Sequence, residues 1–201
     1  MLIRYSIEQL KQALEELSDR KLLLFMLSCA ERMIPSYSAF SRRTRFGDVS
    51  TLRIALDLAW SQLDKENGPP AVAPLVESCK KLAPDTEDFV DPLVSSALDS
   101  AVATVLVVES LASPELSANN ALEVAVLARD SVDLFVQECE ALPPGAVDLE
   151  DRIRDHALMQ RELLYQKETA ENLRDSDLSK AIPEMRNRWQ GQKISNIGQE
   201  M

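Results

Sequence analysis

Five carboxylates interrupt helical stretches that are otherwise apolar: Glu31, Asp57, Asp99, Asp130 and Asp133. Acids in such surroundings hold a metal, move a proton, or pair with a base. A di-metal centre in a helical bundle needs glutamates together with Glu-x-x-His pairs on facing helices. The chain has one histidine, His156, and the residue three before it is Ile153. Neither that centre nor a three-histidine site can be assembled from it. A magnesium site of carboxylates alone is the weaker remaining option, and no metal or cofactor is expected. Pairing is the expected role, because buried charges are paired. Glu31 or Asp57 would pair with Arg32 or Arg53, and Arg53 and Asp57 are spaced one helical turn apart.

Proton transfer and nucleophilic chemistry find little support. His156 shares a helical face with Leu149, Ile153 and Leu163, and no Ser or Cys stands beside it in a nucleophile motif. It reads as a hydrogen-bonded core or interface histidine. The patterns G-x-S-x-G, P-loop and G-x-G-x-x-G do not occur. Cys29, Cys79 and Cys139 are widely separated and odd in number, which argues for reduced thiols rather than a disulfide framework or zinc site. Arg42, Arg43 and Arg45 precede a helix start, where backbone N–H groups can hold an anion. Asp48 would occupy those same donors, so a solvated loop is expected there.

The elements that must position these residues centre on Leu22 to Trp60. Leu22 to Leu27 is apolar without a break. A helix hydrophobic all round is enclosed by others, and so short a run falls far below the ~20 residues that cross a bilayer. Ser18 or Asp19 caps its start. Pro35 removes one hydrogen bond and crowds the carbonyl four residues back; the recurrence of Tyr37 and Phe40 predicts a kink rather than an end. Phe46, Gly47 and Asp48 make the corner, with Gly47 free to take positive φ. The next helix has Leu52, Ala55, Leu56, Ala59 and Leu63 on its apolar face. Tyr37, Phe46 and Trp60 are expected to cluster at this corner as core. If its polar residues lined a groove instead of pairing, the ligand-binding set would be Glu31, Arg32, Tyr37, Arg53, Asp57 and Trp60.

The runs SCAERMIPSYSAF and RFGDVSTLRIALDLAW, followed by APDTEDF, SSALDSAVA and SNIG, resemble the YjaG-like family of small bacterial proteins along nearly the whole chain. The resemblance implies an all-helical cytosolic protein whose family function is uncharacterised. It supplies a fold and no reaction.

Few glycines, sparse aromatics and plentiful Ala, Leu, Val and Glu favour helices. The 201 residues fit one domain able to bury ~70% of the unfolded surface. Residues 1–201 are read as a single-domain all-α bundle of about seven or eight helices around a central buried hairpin, with about 190–201 a less ordered tail whose SNIG segment either folds back to cap the helix-two/helix-three corner or stays a loose end. Ser6 opens the first helix with Gln9 in a capping box. Later helices run over Pro74 to Leu82, Pro92 to Ala112 and Ser117 to about Leu142. The breaks fall at Gly68, Pro69 and Pro70, at Pro114, and at Pro143, Pro144 and Gly145. From Leu149 the pattern is one bent helix or two, parting at Asp175 to Asp177.

Net charge is −11; residues 1–60 sum to +2, so the remainder sums to −13, and Glu115 to Asp155 alone to −7. Such an acidic body disfavours nucleic acid and anionic membranes and admits a basic protein partner. No export signal is visible, and a cytoplasmic protein is expected. The leading expectation is a non-catalytic helical protein acting by protein–protein interaction through its acidic half. A ligand-binding protein or enzyme using the helix-two/helix-three corner is the alternative, and a self-associating structural protein a third reading.

Overall fold

Ser6 caps α1 (Ile7–Glu15) through the expected capping box with Gln9. The computed structural model describes residues 2–64, 70–113, 115–143 and 145–200. After α1 come α2 (Asp19–Thr44), α3 (Val49–Asp64), α4 (Ala73–Lys80), α5 (Val94–Ser110) and α6 (Ala118–Cys139). The chain continues with α7 (Leu149–Asp155), α8 (Ala157–Asp175) and α9 (Leu178–Trp189), making nine helices among the described residues. The architecture is all-α, and none of the described helices is long and apolar enough to cross a membrane.

Helix α2 is the axis. It runs unbroken through Pro35, and every residue from Leu22 to Phe40 is buried. Its apolar residues on all faces require neighbours on all sides, and α3, α5, α6, α8 and α9 supply them. Helix α5 lies along it with Ser96, Ala97, Ser100, Ala101 and Ala103 buried, small side chains that let two helices approach closely. Helix α6 opens at Ser117, which forms a capping box with Asn120.

Boundaries differ from the sequence reading in three places. Helix α5 begins at Val94 rather than Pro92, because Asp91 accepts the Leu93 N–H at 2.9 Å and holds a turn ahead of the helix. The last third forms three helices instead of one or two. His156 leaves helical backbone (φ −63°, ψ 141°), and its Nδ1 accepts the Leu158 N–H at 3.2 Å. It is thus the half-buried N-cap of α8 rather than a core residue; histidine is outside the usual capping set, so the break carried no familiar mark. Asp177 caps α9 by accepting the Ser179 N–H. Gly68, Pro69, Pro114 and Pro144 lie outside the described residues.

The C-terminal segment is the third difference. Ser195, Asn196 and Ile197 are buried, where a less ordered tail was expected. The Asn196 N–H donates to the Arg32 carbonyl at 2.8 Å, and its side-chain amide donates to the Ala128 carbonyl at 2.9 Å. Arg161 donates to the carbonyls of Ser195 and Asn196. Gly198, at φ 78°, closes the turn, and the Ser195 N–H donates to the Gln199 carbonyl at 2.8 Å. The segment therefore seals α2 against α6 and α8.

Candidate functional site

Consecutive residues on an α-helix point about 100° apart, so Glu31 and Arg32 meet different neighbours of α2. Glu31 faces α3. Its two oxygens each accept from Arg53, from Nη1 and Nη2 at 2.6 Å, and Oε1 also accepts from the Trp60 indole N–H at 2.6 Å. Arg53 Nε donates to Asp57 at 2.9 Å, and Gln190 donates to the same Asp57 oxygen at 2.7 Å. Arg186 of α9 stacks over the Trp60 ring, 5.3 Å from its centre, and donates to the Trp60 carbonyl. Burial alone would lower the Arg53 pKa; the bonds and charge of Glu31 outweigh it and raise it.

Arg32 faces α8. Its guanidinium donates to both oxygens of Glu162, at 2.6 and 3.2 Å, and to the Ser28 carbonyl at 2.6 Å. The rings of Tyr165 and Trp189 flank it at 5.4 and 5.0 Å. Desolvation works against its charge, but the Glu162 carboxylate prevails and the pKa is raised. The network continues through Gln166, which donates to Glu162 at 2.8 Å and accepts from Arg129 at 2.7 Å. Cys29 lies beside Arg32, yet burial pushes its thiol up to about 11, which makes it a poor nucleophile.

Of the six ligand-binding candidates, Glu31, Arg53, Asp57 and Trp60 come together, and Arg32 and Tyr37 do not join them. Tyr37 donates its hydroxyl to the Leu82 carbonyl at 2.9 Å, and burial pushes that hydroxyl up to about 12. Its ring meets Phe40, which packs edge-on against Phe46 and Phe89. Phe89 holds the place expected of Trp60, because the Trp60 N–H finds its acceptor in Glu31. At the corner, Gly47 has φ 70°, and a Cβ built there would overlap the Tyr37 hydroxyl, so glycine is required twice over. Asp48 accepts the Ser50 N–H at 2.9 Å, as a cap should. The basic run is partly engaged, Arg43 with Asp91 at 2.9 Å and Arg42 with the Glu200 carbonyl at 3.4 Å.

Sequence reasoning missed Glu162, Gln166 and Arg129. The available signal was periodicity: Glu162 and Gln166 share one buried face of α8 with Met159, Leu163, Ala170 and Leu173. Of the remaining acids, Asp99 has one buried oxygen without a hydrogen-bond partner, and burial, then the charge of Asp130, push its carboxyl up to about 7. Both Glu31 oxygens are occupied by donors, so a substrate would have to displace one. The arrangement suits holding helices together better than transferring a proton.

The fold and this polar interior define an all-α bundle threaded by an enclosed helix whose adjacent acid and base are anchored to opposite neighbours. The chain belongs to the family described as "Protein of unknown function (DUF416)", whose model matches residues 9–200. It is similar to "Uncharacterized protein YjaG" of Escherichia coli (strain K12), with 33% identity over 112 residues. The namesake in Salmonella typhimurium is 31% identical over 112 residues. The match covers 56% of this chain and 57% of each relative, so the chain spans little more than half their length. The crystal structure of a DUF416 family protein from Shewanella baltica OS155 has the same fold, with a TM-score of 0.87 over 95% of this chain and 98% of that one, at 21% identity.

Proposed function

We propose that this is a non-catalytic cytoplasmic protein that acts by binding a basic protein partner through the surface of α6 and α7. One observation carries the reading. The side chains best suited to chemistry are bound to each other, Glu31 to Arg53 and Trp60, and Arg32 to Glu162. In the same molecule, the ion pairs around α7 use Glu140, Asp151 and Asp155 and leave the exposed Glu138, Asp148 and Glu150 without a cation among the described residues. Unpaired surface charge of one sign steers an oppositely charged partner and sets its orientation. The free thiols of Cys29, Cys79 and Cys139 suit a reducing compartment.

The test is affinity capture from lysate with the wild type and with a triple variant, Glu138→Gln, Asp148→Asn and Glu150→Gln, at low and moderate salt. The expected result is a basic protein held by the wild type at low salt and lost both at moderate salt and in the variant. Recovery of the bait alone, or of the same proteins by both baits, would reject the reading.

A further inference from the structure

A cavity of about 550 Å³ opens between the segment ahead of α1, the middle of α6, α7 and the start of α8. That volume lies in the range of small-molecule sites, ~300–1,000 Å³. Val126, Met159 and Leu163 give it an apolar wall, and Arg129 forms part of the lining. Arg129 is only 9% exposed. Its Nε donates to Gln166 and its Nη1 to the Tyr5 carbonyl, while Nη2 is buried with no acceptor. Glu162 and Asp130 lie near enough to act on it electrostatically, but Glu162 is already bound to Arg32 and Asp130 accepts no hydrogen bond from it. Burying a guanidinium without a bonded counter-ion is costly, and among the described residues Arg129 has no ion-pair partner, only nearby charges and the Tyr5 ring 6.0 Å away.

The carboxylates of the same cavity make no ion pair among the described residues, although the charge of Arg129 reaches Asp130. Asp130, Asp133 and Glu150 line it, and Asp133 accepts the Gln137 amide at 2.5 Å. The two other arginines on the wall are engaged elsewhere, Arg4 with Asp155, and Arg154 with Asp151 and Asp155. A guanidinium with no bonded anion, acids with no bonded cation and an apolar surface thus meet in one space.

We infer that this cavity binds a small zwitterion of the hydrophobic amino-acid type. Its carboxylate meets Arg129, its ammonium meets Asp130 and Asp133, and its apolar side chain lies against Val126, Met159 and Leu163. The site adjoins the Arg32 network through Gln166 and shares Glu150 with the proposed partner surface, but titration with no partner protein present tests it apart from that reading.

The experiment is calorimetric titration of the full chain with L-leucine, L-methionine and L-phenylalanine, and with two halves of leucine: 4-methylpentanoate and 3-methylbutylamine. Saturable binding of at least one amino acid is expected. The matching carboxylate without the amine should bind about tenfold more weakly, and the amine alone more weakly still, since each charge-assisted contact is worth about tenfold or more. Val126→Trp fills the cavity without removing a charge and should abolish binding, as should Arg129→Gln. Should either variant fail to fold, the ligand series decides. Absence of binding by all three amino acids, tighter binding of the amine than of the carboxylate, or binding that survives Val126→Trp would overturn the inference.

Discussion

Glu31 and Arg32 are adjacent in the chain, and each is anchored by a bidentate ion pair, but the two pairs lie in different surroundings. Arg53 keeps 29% of its side chain exposed and Asp57 47%, whereas Arg32 and Glu162 are each 1% exposed. At the Glu31 centre the acid is itself buried, 2% exposed, but its base Arg53 and the outer Asp57 reach water and salt. The Arg32 centre is dry, and its members have been stripped of solvent on the condition that each finds the other. Where one partner reaches solvent, its charge can be rehydrated once the pair is broken, while breaking a fully buried pair strands the remaining charge. Similar chemistry one residue apart therefore has very different consequences.

Four substitutions can break or sharpen this contrast. Glu162→Gln should do the most damage, lowering stability by about 3–5 kcal/mol in urea denaturation, with little dependence on salt. Asp99→Asn calibrates what burial costs an acid that has no base. Its carboxyl is pushed up to about 7, above the ~3.9 of an unfolded aspartate. The native state therefore holds its proton more tightly than the unfolded state, and the associated stability is present below pH ~4 and lost as pH rises towards 7. The variant should match the wild type near pH 4 and exceed it at pH 8 by on the order of 2–4 kcal/mol, measured by denaturation across that range. Glu31→Gln should cost about 1–3 kcal/mol, because Arg53, which already reaches solvent, can turn to water. Asp57→Asn should cost less than about 1 kcal/mol, and that loss should shrink in high salt.

The contrast also separates what could be read in the sequence from what could not. The enclosed helix was legible because Leu22 to Leu27 has no polar face, and the passage through Pro35 because Tyr37 and Phe40 kept helical spacing. The Glu31–Arg53–Asp57 group was within reach for a similar reason: Arg53 and Asp57 are one turn apart, and a buried Glu31 demanded a base nearby. Arg32 is next to Glu31 in the chain, and nothing local separates it from Arg53 as a base for the same acids. Its true partner, Glu162, lies 130 residues away, and no local spacing encodes such a pairing. The C-terminal turn was open for the same reason, with a folded-back SNIG and a loose end equally compatible with the sequence. Its Ser, Asn and Gly residues carry no helical pattern, and its order comes from the carbonyls of Arg32 and Ala128, which only the folded bundle brings to it. His156 hid its role because an imidazole acting as a helix cap leaves no familiar mark.

The most direct measurement is a double-mutant cycle on Arg32→Met and Glu162→Leu, followed by urea denaturation at neutral pH. If this pair holds the helices together, each single variant should be strongly destabilised, the double variant should recover most of the loss, and the coupling should be about 3 kcal/mol or more. Single variants within about 0.5 kcal/mol of the wild type, adding without coupling, would contradict it and leave Arg32 and Glu162 as charges maintained for something other than the fold.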